Sequence, residues 1–189
     1  MKNRNFNIGL VVILALSFMS FTVLKEKAIN IEESQISWKG YKVTGQHEGT
    51  INLKSGTLIF DGKTLTGGNV VMDMNTINTT DLEGEYKGKL DGHLKSADFF
   101  GVENHPTASL KITTVEGKNG KYNVTADLTI KDITNIITFN MYTKDNSATA
   151  FVKIDRTKFD IKYGSSSFFD NLKDKAIYDE FDLNVTLKF

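Results

Sequence analysis

In Phe181-Asp182-Leu183-Asn184-Val185-Thr186-Leu187-Lys188-Phe189 every odd position is apolar and every even one polar. Side chains of a strand point alternately to opposite faces, so this segment has one dry face and one wet face. Shorter versions of the pattern recur from Ser34 onward, and a chain built from such strands must hide its dry faces against one another. An antiparallel sandwich or a closed barrel does this. Only the barrel also offers an interior that can hold a ligand.

Parity assigns the inward residues strand by strand. Ile36 and Trp38 share a face in the first strand, Gln35–Tyr41, and Val43-Thr44-Gly45 turns the chain. His47, Gly49, Ile51 and Leu53 share a face in the second. Lys54-Ser55-Gly56 reads as a turn, followed by a short strand with Leu58 and Phe60 inward. Asp61-Gly62 is a hairpin signal, and Val70, Met72 and Met74 mark the next inner face. From Asp81 to Lys95 the alternation stops, and Tyr86, Leu90 and Leu94 recur at helical spacing. Gly84, Gly88 and Gly92 weaken that helix. Ser96 can cap a further short turn through Phe100.

Strands resume with Ala108, Leu110 and Ile112, and Asn119-Gly120 predicts a type I′ hairpin. Tyr122, Val124, Ala126, Leu128 and Ile130 form a long stripe. Ile137, Phe139 and Met141 follow, then Ala150, Val152 and Ile154, then Phe159 and Ile161. Gly164–Ser167 reads as a loop and Phe168–Lys175 as a short helix. The expectation is an all-β chain of eight or nine strands with short helical insertions. Gly49, Ala108, Ala126 and Ala150 are small inward residues, which leave space unless larger neighbours fill it. The alternation fits a filled core and a hollow one alike.

Composition removes several function classes. The 189 residues carry a formal net charge of +0 and no basic run, so nucleic-acid binding has no electrostatic footprint. With no cysteine, disulfides, thiol chemistry and Cys-based zinc sites are excluded. His47, His93 and His105 lack metal-site spacing, Ser165-Ser166-Ser167 lacks a nucleophile-elbow context, and no glycine-rich phosphate loop is present. His47 shares parity with Ile51 and Leu53 and is expected to point inward, as a satisfied core residue or as the base of a lipid-ester hydrolase. Arg156 shares parity with Val152 and Ile154. Its fork suits a pyrophosphate or carbonyl head group and equally a loop carboxylate.

Lys2 and Arg4 precede an uncharged, largely apolar stretch from Phe6 to Leu24, which Lys25-Glu26-Lys27 ends. This is the form of a signal peptide. The stretch also approaches the ~20 residues that span a bilayer, and no A-x-A cleavage pattern is present. Residues 1–24 are therefore a signal peptide or an N-terminal membrane anchor. Either places the remainder outside the cytoplasm, periplasmic or otherwise exported, with membrane contact through the segment if it is retained.

The segment Leu90-Asp91-Gly92-His93-Leu94-Lys95-Ser96-Ala97-Asp98-Phe99-Phe100-Gly101-Val102-Glu103-Asn104-His105-Pro106 closely resembles the L-x-S-x-D-F-F-D-V-x-x-x-P signature of the YceI-like family of exported bacterial proteins. His47-x-Gly49, Gly56–Asp61, Asp127–Thr134 and Ile154–Ile161 resemble its other blocks in order and spacing. Gly101 and Asp132 depart from the family's usual Asp and Gly, both in connecting segments. The resemblance covers 34–189. It implies an extended lipocalin-like antiparallel barrel of about eight strands enclosing a long isoprenoid chain, of quinone or polyprenyl type. It implies no catalytic residue and no cofactor other than such a bound lipid. Exposed strand edges and family habit allow a homodimer.

Parity and this resemblance together place the ligand's tail against Trp38, Ile51, Leu53, Phe60, Val70, Met72, Leu128, Ile130 and Phe139. Phe99 and Phe100 line or cap one end, and His47 and Arg156 are the inward polar candidates. The alternatives are a filled barrel acting through protein interaction and a lipid-ester hydrolase.

Overall fold

The computed structural model describes residues 23–189, so most of the apolar Phe6–Leu24 stretch lies outside the described residues. No helix among the described residues is long and apolar enough to cross a membrane. The strands are β1 (Leu24–Ala28), β2 (Asn30–Lys42), β3 (Gly45–Asp61), β4 (Thr64–Thr79), β5 (Thr107–Lys118), β6 (Lys121–Ile130), β7 (Ile133–Lys144), β8 (Ser147–Asp155) and β9 (Ile177–Lys188). One α-helix, α1 (Gly84–Lys95), follows β4. From β2 onward each strand pairs antiparallel with the next, and β9 returns to β2. The result is a closed, up-and-down, eight-stranded barrel in which every strand has a neighbour on both sides. β1 lies outside the count and pairs with the C-terminal half of β3, while β2 pairs with its N-terminal half.

Local sequence explains most boundaries. Asn119 and Gly120 join β5 to β6 with φ of 55° and 77°, the left-handed pair that a type I′ turn needs. Lys131 and Asp132 do the same between β6 and β7, at φ 50° and 61°. That conformation favours the glycine which the resemblance led one to expect at 132. Lys54-Ser55-Gly56 is not a turn: β3 runs straight through it, with a register irregularity between Leu53 and Ser55. A bulge bends a strand without ending it. Phe168–Lys175 holds only a 3-10 turn at Lys173–Lys175. Strand pairing starts at Leu24, upstream of Ser34, because β1 is a charged segment without alternation that borrows its order from β3.

The interior has two parts. At one end Leu58, Leu65, Val124, Ala126 and Ala148 are at most 1% exposed. Phe60 and Phe189 stack there at 5.4 Å between ring centroids, with the Lys27 ammonium over both rings. The Tyr122 hydroxyl accepts from the Leu65 N–H at 3.2 Å, so even the polar tip is used. At the other end the inward residues Met72, Leu110, Ile137, Phe181, Leu183 and Val185 are only partly buried, although they belong to the same core. Parity turns them inward, and what they face is empty space.

Candidate functional site: an apolar cavity in one half of the barrel

The space is a cavity of about 160 Å³. A water needs ~10–15 Å³ on this scale, so the volume corresponds to about ten waters, or ~300 Å³ of liquid. That is the lower end of the ~300–1,000 Å³ range of ligand pockets. Among the described residues, Arg156 and Glu180 are the only charged ones on its wall. Leu187 forms the boundary with the filled end, since it lines the cavity and is 1% exposed.

A roof covers the open half. α1 is fastened to the end of β4 by Lys87, whose ammonium donates to Asn78 Oδ1 (2.6 Å), the Thr79 carbonyl (2.8 Å) and Asp91 Oδ2 (2.7 Å). Asp91 also accepts from the Thr79 N–H at 2.8 Å. None of the helix's residues is fully buried, and Leu94 is the one that reaches the cavity. The chain then folds back on itself, with Phe100 N–H donating to Leu94 O and Gly101 N–H to Ser96 O. This places Phe99 and Phe100 edge to face at 5.1 Å, both on the cavity wall. His93 packs against Phe99 and Tyr163. Burial pulls its imidazole below the usual value, opposed in part by Asp98.

Of the residues named from sequence, Trp38, Ile51, Val70, Met72, Phe99, Phe100, Leu128, Ile130, Phe139 and Arg156 lie on this one wall. Leu53 and Phe60 do not; they are buried in the filled end. His47 is not on it either. Its Nδ1 shares a 2.9 Å hydrogen bond with Asp81 Oδ2, and its side chain is partly exposed at the rim. Asp81, two residues beyond the end of β4, brings its carboxylate to the imidazole. Burial raises the Asp81 carboxyl, but His47 and the Glu48 N–H outweigh it and hold the carboxyl below its usual value.

Arg156 is 2% exposed. Its Nε donates to the Tyr178 carbonyl (3.1 Å), Nη1 to that of Ile161 (2.6 Å) and Nη2 to that of Ile177 (3.0 Å). Asp179 stands 3.7 Å away, and the guanidinium lies 5.5 Å from the Phe99 ring centre. The fork therefore ties the 3-10 turn at Arg156–Phe159 to the start of β9. Burial lowers its pKa, with Asp179 and Asp155 opposing, and an arginine remains charged under such a shift.

Two small residues behave differently from one another. Gly49 is not a void: a Cβ there would overlap the Asn78 carbonyl and the Trp38 indole. That indole donates to the Thr50 carbonyl at 3.2 Å. Gly40, which sequence reasoning passed over, is on the wall and has nothing within 4 Å of where a Cβ would be. Its parity with Ile36 and Trp38 is the signal that could have found it. Tyr178, Asp179 and Glu180 bulge from β9 opposite Tyr41, where the β2–β9 register shifts. Tyr41 donates to Asp182 at 2.6 Å just outside, and Lys153 to the same carboxylate at 3.0 Å.

A sequence model of the YceI-like domain matches residues 28–189. A UPF0312 protein of Vibrio parahaemolyticus is 32% identical over 148 residues, which is 73% of this chain and 72% of that one. Among solved structures, BcnA of Burkholderia cenocepacia superposes with a TM-score of 0.65 at 18% identity, over 84% of this chain and 98% of that chain. A domain from Saccharophagus degradans, described as polyisoprenoid binding and implicated in plant cell wall breakdown, has a TM-score of 0.57 at 12% identity. It is matched over 87% of this chain and 97% of its own.

Proposed function

Because the chain belongs to the YceI-like family, we propose that it is a lipid-binding protein that holds the chain of a long isoprenoid, of quinone or polyprenyl type, in the hollow half of its barrel. The observation that carries this reading is a cavity whose wall is apolar apart from the internally bonded Arg156 and the rim residues Tyr41, Tyr178 and Glu180. The Saccharophagus domain, which shares the fold and is described as polyisoprenoid binding, supports the ligand class.

Burying a CH₂ contributes about 0.8 kcal/mol, so one five-carbon isoprene unit contributes about 3–4 kcal/mol before opposing terms. A few units suffice for tight binding without an ion pair. Arg156 has its donors turned to backbone carbonyls, so head-group selection falls to Tyr41, Tyr178 and Glu180 at the rim. We further propose that the protein is exported, with residues 6–24 removed or kept as an anchor, and that it carries, stores or senses its lipid without turning it over. The His47–Asp81 pair sits off the cavity wall, where it has no reach to a buried ester.

Native mass spectrometry of the exported protein, purified without detergent and followed by organic extraction, tests the reading. A stoichiometric long-chain isoprenoid is the expected result, and the intact mass also reports whether residues 6–24 remain. A clean ligand-free mass that persists when decylubiquinone and geranylgeraniol are supplied would overturn it.

A further inference from the structure

The barrel wall is not uniformly laced. Each strand of the closed barrel is hydrogen-bonded to both neighbours, but β7 and β8 pair only from Met141↔Ala150 to Lys144↔Ser147. Beyond that ladder the stretch Ile136–Asn140 is held only by β6, and Phe151–Asp155 only by β9. The two edges meet again through one side chain, where Asn135 Nδ2 donates to the Lys158 carbonyl at 2.8 Å. Between this latch and the ladder lies a seam without paired backbone. The inward side chains on its two flanks, Phe139 and Val152, are buried, so apolar packing alone keeps it shut. Both also line the cavity.

The outer face of the seam carries two exposed apolar side chains. Ile136 is 73% exposed and Phe151 54% exposed, one on each flank. Between them the outward positions of the seam are Thr138, Asn140 and Lys153, and Tyr142, 51% exposed, stands on the paired ladder. The seam is therefore apolar on its inner side, at Phe139 and Val152, while its outer side carries Ile136 and Phe151 among polar side chains.

We propose that this seam is the lateral portal through which the hydrocarbon chain of the lipid enters and leaves. The inference rests on the lipid-binding reading above. A chain passing sideways slides between the inner flanks Phe139 and Val152 and breaks one side-chain hydrogen bond, whereas entry through the roof displaces α1 with its Lys87 and Asp91 bonds. The gap in the ladder also gives the wall a place to part without rupturing main-chain pairs, each of which contributes ~0.5–1.5 kcal/mol net.

The full chain has no cysteine and one tryptophan, Trp38, on the cavity wall, which makes the test specific. In a Thr138→Cys/Lys153→Cys variant, a short thiol-bridging reagent such as dibromobimane ties the two flanks from outside. A Thr149→Cys/Thr186→Cys variant places the same bridge across the intact β8–β9 ladder, where these two residues are register partners. Stopped-flow quenching of Trp38 by decylubiquinone measures uptake. The expected result is at least a tenfold slower uptake for the bridged seam, with the unbridged variant and the bridged control at the original rate.

Unchanged uptake across a bridged seam overturns the portal and leaves lipid binding standing. Failure of decylubiquinone to quench Trp38 in the original protein overturns lipid binding and the portal together. A measurement independent of the variants is amide exchange in the original protein. The segment 136–140 is expected to exchange at least tenfold faster than 124–128 of β6, and equal protection would also overturn the portal.

Discussion

The two ends of this barrel are built from the same kind of strand and reach opposite results. At the filled end, branched and aromatic side chains from β3, β4 and β6 pack with Ala126 and Ala148 around Leu58 and Val124, both 0% exposed. At the hollow end the inward positions are no less apolar, but Gly40, Ala108 and Ala150 stand among them, and the roof closes over space that no side chain occupies. The difference shows that the alternation of apolar and polar residues sets which face is dry. Whether the dry space is full depends on side-chain volume summed across strands far apart in sequence.

Arg156 would break the comparison first, because it is the place where the hollow end is held as firmly as the filled one. Arg156→Ala leaves the carbonyls of Ile161, Ile177 and Tyr178 without their donor and is expected to lose about 3–5 kcal/mol, read from urea unfolding. Arg156→Lys recovers only part of it, since an ammonium cannot span the fork. A loss below 1 kcal/mol would mean that the guanidinium does not organise this end.

Truncations sharpen the contrast. Leu58→Ala opens a void in packed surroundings and is expected to cost about 3–5 kcal/mol. Leu183→Ala enlarges a cavity already present and should cost about 1–2 kcal/mol, near the bare transfer value. Equal losses at the two sites would erase the distinction between the ends.

Gly40→Phe converts hollow to filled. The ring enters open space at a position with ordinary backbone geometry, so stability is expected to shift by no more than about 1 kcal/mol. Affinity for decylubiquinone, followed by Trp38 quenching, should fall at least tenfold. Retained affinity would mean that the ligand lies elsewhere.

The smallest effect is on pH. Burial against Phe99 and Tyr163 lowers the His93 pKa in the folded protein, so the unfolded chain takes up the proton more readily. Stability is therefore expected to fall as the pH drops below about 6.5, the ordinary imidazole value. His93→Gln should flatten the slope of melting temperature between pH 7 and pH 5. A slope unchanged by the substitution would assign it to other groups.

Much of the fold was legible in the sequence because strand parity and turn chemistry are local. Asn119-Gly120 specifies its hairpin, and Tyr122 to Ile130 is buried at every second position as parity requires. The resemblance in 90–106 located the roof. What parity could not supply was the partition. Leu53 and Phe60 read like Ile51 and Val70, yet they fall on the far side of Leu187. His47 has inward parity, but Asp81, beyond the end of β4, draws it to the rim. Arg156 lies inward as its parity suggests, while two of its three carbonyl partners stand some twenty residues away, which no local pattern announces. β1 was missed because Leu24–Ala28 has no alternation of its own.

The plug of Leu58, Phe60 and Phe189 has one more consequence. A tunnel open at both ends would thread chains of any length, but this one stops at Leu187. A hydrocarbon that enters must halt against a fixed floor, and each carbon beyond the depth of the cavity pushes its head group further out. If the barrel holds a lipid as proposed, such a floor would make it a ruler that measures chain length from the end opposite the head group.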